Sequence, residues 1–346
     1  MKKKFLALAA LAVLLMSIVG FALTDTKNTA KSSNALVPLL PASDIVITLD
    51  AQRLHSQALP QIFSANPAEL EKINAKIDEV KAKTGLDVRQ FQQVAVGISN
   101  KQVTAKDVEF EPFILARGGF NTGALVAVVK LASEGKYREE KIGRRTVYIF
   151  TAKEIVEKNK PQQTNSIFGK LIDKALNGLS GEIGLTAYDA NTLAIGTLPR
   201  VREAFEKKTR LGSDVLGLVN RNPNAMVTFG GKLPNGLADL INLGNDELGK
   251  NLNSIRQVSG ALDVAGGNAV LSVMAKTQQE AQAQTLHETL QGLQMVGKAI
   301  LGGMKGEDKK VYARMAERAE ISRSGTEILL NLQVPQSEID VLIGRK

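Results

Sequence analysis

The chain has 346 residues, a formal net charge of +9, 44% apolar and 4% aromatic residues, two histidines, and neither cysteine nor tryptophan. Without cysteine there are no disulfides, thiol nucleophiles or thiolate metal sites, so a large packed core has to hold the fold, and the length suggests two domains. The scarcity of aromatic faces argues against platforms that stack sugars or nucleic-acid bases.

The N-terminus reads MKKKFLALAALAVLLMSIVGFALTDTK: three lysines, an apolar run and small residues at Gly20 and Ala22. This is the three-part pattern of a secretory signal over residues 1–22, with cleavage expected after Ala22. The alternative is an uncleaved inner-membrane anchor over residues 5–23, with Lys2, Lys3 and Lys4 held in the cytoplasm. The rest is expected to be an exported periplasmic or extracellular body. Setting aside the three lysines of the signal leaves a modest basic excess, suited to an anionic envelope polymer or lipid headgroups. Export makes nucleic acid an unsuitable partner.

Residues 23–40 are small, polar and aperiodic, as expected of a flexible tether. Structure is expected from about Pro41. Ile45–Leu49 reads as a strand, after which Asp50 can cap a helix whose apolar positions are Leu54, Ala58 and Ile62. A second helix has Asn66 as cap, Pro67 in its first turn, a stripe of Leu70, Ile73, Ile77 and Val80, and Gly85 as its stop. Strands are expected over 91–99 and 110–117, a helix over 124–132, and a hairpin in KYREEKIGRRTVYIF turning at Ile142 to Arg144. A polar loop then leads to an amphipathic helix carrying Ile167, Phe168, Leu171, Ile172 and Leu176. These five are the candidate contacts for a partner or lipid.

Strands at 183–188 and 192–197 precede a charged helix starting at Pro199. Beyond Gly212 the order restarts: MVTFGGKL echoes VITLDAQRL, strands at 254–264 and 268–276 echo those at 91 and 110, and TEILLNLQVPQSEIDVLI echoes TLAIGTLPRVREAF. A helix over 278–304 carries a stripe of Leu286, Leu290, Leu293, Val296, Ile300 and Met304. Two modules are therefore expected, 41–210 and 211–346. Strands arriving in adjacent pairs point to an α+β fold of two similar halves, each a mixed or mainly antiparallel sheet with helices on one face.

Chemical motifs are sparse. His55 and His287 lie far apart without partner ligands, so neither metal binding nor base catalysis is expected of them. Ser133–Lys136 matches serine-x-x-lysine and Lys83–Gly85 supplies KTG, but serine ends a helix here and KTG comes earlier, the reverse of the order that serine acyl-transfer enzymes use. The loop RGGFNTG (Arg117–Gly123) lacks a nucleotide-loop ending, and reads as a tight turn needing positive φ rather than as a phosphate cradle. Glu109 and Glu111 share a strand face, and Glu139 and Glu140 sit in a charged hairpin; both pairs read as solvated. No cofactor motif is present, and no catalytic, cofactor or metal residue is assigned.

The stretches LPASDIVITLD, TGLDVRQFQQVAVG, ARGGFNTGALVAVVKLA, GKYREEKIGRRTVYIF and DANTLAIGTLPRVREAF resemble a family of bacterial exported proteins of unknown function with a repeated α+β body. The resemblance covers Pro41 to Lys208 and, more loosely, the second half. It implies export and architecture, with no activity or catalytic residues to carry over. The expected function is non-enzymatic: binding of an envelope protein, a lipid or an anionic polymer through an apolar groove or exposed amphipathic helix. The alternative is a hydrolase or transferase of envelope material with an unrecognised carboxylate site.

Overall fold

A computed structural model describes residues 34–104, 107–133, 135–151, 181–234, 246–303 and 305–343. The strands are β1 (Ile45–Asp50), β2 (Phe91–Thr104), β3 (Asp107–Gly118), β4 (Arg138–Ile142), β5 (Arg145–Thr151), β6 (Glu182–Asp189), β7 (Thr192–Thr197), β8 (Val227–Lys232), β9 (Ile255–Ala265), β10 (Asn268–Thr277), β11 (Glu320–Ser324) and β12 (Glu327–Pro335). The helices are α1 (51–62, with a π-helical stretch at Leu54–Ala58), α2 (Pro67–Thr84), α3 (Thr122–Ala132), α4 (198–207, π-helical over Glu203–Lys207), α5 (Ser213–Val219), α6 (Asp246–Leu252), α7 (Glu280–Gly303), α8 (Glu307–Arg318) and α9 (Gln336–Ile343).

Helix ends follow local chemistry. Asp50 accepts the Arg53 N–H at 2.9 Å, and Leu54, Ala58 and Ile62 are buried. Asn66 accepts from Glu69 N, Pro67 opens α2, and Gly85 closes it in the left-handed region at φ 71°, where a side chain would be strained. The structure adds α5, α8 and β11, which had not been expected from the sequence. β11 is short and polar, and α8, although amphipathic with Val311 buried, is mostly charged in composition.

The fold is α+β, as expected, but the two expected sheets are one. Among the described residues, all twelve strands form a single antiparallel sheet in the order β11-β12-β10-β9-β8-β1-β2-β3-β7-β6-β5-β4. Reading outward from the central β1–β8 pair, the order is β2, β3, β7, β6 on one side and β9, β10, β12, β11 on the other, with β5 and β4 added at the first edge. Left apart, β1 and β8 would each be an edge strand with bare N–H and C=O groups. Antiparallel pairing from Ile45–Gly231 to Leu49–Val227 satisfies them.

Helices cover both faces rather than one, because the central strands are apolar on both. Leu49, Val94, Val96, Ile114 and Ile195 pack on α1 and α3. The alternate residues Val46, Ala95, Phe113, Leu115 and Ala194 pack on α4 and α5 and on the segment before β1. On the first face, α9 and the end of α1 close over Ala269 and Val334, and the start of α7 closes over Ile255 and Ile328. At Gly230 the second face lies close against α5, since a Cβ there would lie within 2.9 Å of the Leu218 and Val219 backbone. A side chain at this position would therefore displace α5.

The segment before β1 departs from the expected tether. Leu36, Val37 and Leu40 are fully buried, and Asn34 accepts from Thr48 Oγ1 (3.2 Å) and Thr228 Oγ1 (3.3 Å). Its apolar residues lacked a period because they enter the core from a 3-10 turn, not from a regular element. Arg200, 1% exposed, fixes the chain just after it, donating to Ala42 O (2.6 Å) and Ser43 Oγ (2.8 Å) while paired with Glu203. We expect Leu40→Ala to lower the unfolding free energy by about 2–5 kcal/mol, measured by urea denaturation, as for any fully buried leucine. A tethering segment would show no change.

Candidate binding surface

The five candidate contacts Ile167, Phe168, Leu171, Ile172 and Leu176 lie outside the described residues. Among the described residues, the large exposed apolar side chains concentrate on the other amphipathic helix, α7. Its stripe begins at the sheet: Leu286 is 1% exposed and Leu290 packs at the margin of the same cluster. Further along the same face Leu293, Val296 and Ile300 are 43%, 53% and 57% exposed, and Met295 on another face is 74% exposed. The stripe is continuous in sequence, but only its first half is used by the core.

The second half of α7 is held firmly on its other side. Gln294 Nε2 donates to the carbonyls of Ala316 (2.7 Å) and Ala319 (2.6 Å), and Lys298 pairs with Glu317, so α8 lies alongside. In turn, α8 is anchored to α9 by Arg314 and Arg318, both bonded to the buried Glu338, and these two guanidiniums hold the Glu338 carboxyl below the usual range against the burial that would raise it. The exposed residues thus ride on a braced helix hairpin. Thr289 to Gly303 reads TLQGLQMVGKAILGG, with Lys298 as its one charge.

The polar motifs resolve as structural. Ser133 Oγ donates to Lys130 O at 2.8 Å, closing the end of α3, and Gly85 of KTG is the α2 stop. In RGGFNTG, Gly118 N and Thr122 N donate to Asn191 O and Ala190 O, Gly119 N to Gln90 O, and Ala124 N to Asn121 Oδ1, which leaves those donors occupied rather than open to phosphate. None of its glycines has positive φ, correcting that expectation. Gly118 is needed because a side chain would strike Gln90 O and the Phe120 ring. Asp44 accepts from Asn100 N (2.8 Å), Glu139 pairs with Lys130, and Glu140 pairs with Arg138 and Arg202. His55 and His287 lie on α1 and α7; burial and the nearby Arg89 push the His55 pKa down. Among the described residues no group of His, Asp and Glu is placed to hold a metal.

Asp50 is the one carboxyl among these groups that burial raises, against the opposing Arg53 N–H and Arg53 charge. Arg53 also binds Asp263 at 2.7 Å and Asn224 O at 2.9 Å, so the acids meet through a shared cation at the start of α1. A raised folded pKa means that the folded state holds the proton more tightly than the unfolded one. Its contribution is present in full below the unfolded value and is lost as pH rises through the folded one. Asp50→Asn keeps the capping oxygen and removes the buried charge. We expect it to be more stable than the parent at pH 7 and to lose that advantage at pH 3, by urea denaturation at both values.

No protein-family model matches the chain, and no curated protein matches it. Three crystal forms of TP0453 are similar in structure: form III (8% identity, 92% of this chain, 100% of that chain, TM-score 0.41), form IV (9%, 89%, 96%, 0.42) and form I (10%, 92%, 98%, 0.39). At these values no property of those proteins transfers to this chain.

Proposed function

We propose that the protein is an exported, non-enzymatic binding protein that presents the second half of α7 to a partner protein. The carrying observation is the exposed run Leu293, Val296 and Ile300, which continues the buried stripe of the same helix beyond the sheet. A convex apolar helix face fits an apolar groove on a partner, with anchors at helical spacing. An interfacial lipid helix is the poorer match, because it would line its polar face with lysine and arginine. Here Lys298 is the one such residue on α7, and it is engaged by Glu317.

Export is supported by the lysine-led apolar N-terminus, and the resemblance to exported bacterial proteins agrees with it. Among the described residues no helix is long and apolar enough to cross a membrane. The alternative of a carboxylate enzyme has less support, since Asp50 caps α1, Asp44 accepts from a backbone N–H, and Glu139, Glu140 and Glu338 are in ion pairs.

The test is photo-crosslinking from Ile300 and Val296 in the producing cell, with Lys76 on α2 as the control position. A single protein adduct at the two α7 positions, absent from the control and abolished by Leu293→Ser, supports the reading. A lipid adduct, or none, overturns it. Because the side chains are exposed, Val296→Ser and Ile300→Ser should change stability by no more than about 0.5 kcal/mol in urea denaturation.

A further inference from the structure

A second surface lies at the opposite end of the sheet and uses different chemistry. The β4–β5 turn, KIGRR (141–145), meets the end of α4, EKKTR (206–210). The approach is close: a side chain at Gly143 would strike the Phe205 carbonyl, and Gly143 itself has φ 61°. The Arg145 guanidinium stacks 4.8 Å from the Tyr188 ring and 5.0 Å from the Phe205 ring and donates to Ala187 O at 2.8 Å. Phe205 is buried against Phe113, and Arg200 and Glu203 lock the start of the π-helical stretch to Ala42 and Ser43. The two basic stretches are therefore fixed side by side by packing.

Together they hold six cations and one carboxylate, Glu206, which pairs with Arg202 at 3.4 Å. Lys141, Arg144, Lys207, Lys208 and Arg210 are exposed, and among the described residues none of the five forms an ion pair. Elsewhere on the chain many cations are matched, as in Arg53–Asp263, Arg89–Asp87, Arg138–Glu182 and Arg221–Glu327. Lys208 is, among the described residues, the non-glycine with positive φ, 53°. Ending α4 in this way carries an energetic cost, and it places Lys207 and Lys208 in succession on the exposed corner.

The geometry points to a binding surface for a linear polyanion carrying repeated phosphates, formed by Lys141, Arg144, Lys207, Lys208 and Arg210. Unpaired like charges held together by packing repel one another, and a multivalent anion relieves that repulsion while releasing its own counterions. A polymer fits better than a membrane surface. Membrane-binding elements pair cations with apolar anchors, whereas the large exposed apolar side chains among the described residues all fall between Leu293 and Leu329, on the other half of the sheet. The surface is independent of α7, so either can fail without the other.

Inorganic polyphosphate is the probe, titrated into the full chain by calorimetry. Five phosphate contacts should weaken binding roughly 100-fold between about 50 and 200 mM salt, by counterion release. The triple variant Arg144→Gln/Lys207→Gln/Arg210→Gln should lose at least about ten-fold in affinity. The variant Lys72→Gln/Lys76→Gln/Lys305→Gln, equal in net charge, should stay within two-fold of the parent, roughly, as expected when net charge is not the determinant. Unchanged urea denaturation of both variants secures the comparison. Equal loss in both variants, absence of binding, or binding only to phosphatidylcholine vesicles doped with phosphatidylglycerol would each overturn the proposal.

Discussion

The pairing of β1 with β8 is the joint on which the rest of the molecule depends. At its middle Thr48 faces Thr228, both fully buried, with their hydroxyls 2.7 Å apart. Asn34 accepts from both hydroxyls and donates to Asn220 and Val219 O. A hydroxyl pair in an apolar interior is stable only when its bonding capacity is met, so this small network specifies register as well as stability. A slip of β1 by one residue would point Thr48 at the other core, away from Thr228, and turn Val46 and Ile47 to the wrong faces.

Pairing through this seam makes one wide sheet with apolar side chains on both faces. The segment before β1, α4 and α5 cover one face, while α1, α3, α7 and α9 cover the other. The first half of α7 packs into the core through Ala283, Leu286 and Leu290, while its second half does not. Its apolar stripe therefore passes from Leu286, inside the core, to Ile300, outside it, with no change in sequence character.

The same sheet sets the electrostatics of its far edge. The turn of β4–β5 leans on Phe205, and α4 is pinned by Arg200, so two basic stretches some sixty residues apart share a corner. Each stretch alone looks like an ordinary solvated loop. In sequence the acids of KYREEKIGRR read as solvated, whereas each is engaged: Glu139 by Lys130, Glu140 by Arg138 and Arg202. The surplus beyond those pairs becomes a feature only where a second surplus lies beside it.

Elements held by near neighbours were legible in the chain itself. The caps Asp50, Asn66 and Gly85, the strands flanking short turns, and the α7 stripe rest on contacts within a few residues, so composition and period reveal them. The α+β class followed from strands arriving in adjacent pairs. Tertiary structure decided the rest, because the deciding partners are distant in sequence. Thr48 needs Thr228 to pair β1 with β8, Leu36 and Leu40 need β1, α4 and α5 around them to become core, and Ile300 is exposed although Leu286 on the same stripe is buried. A periodic pattern specifies which face of a segment is apolar, and only the packed molecule determines whether anything lies against it.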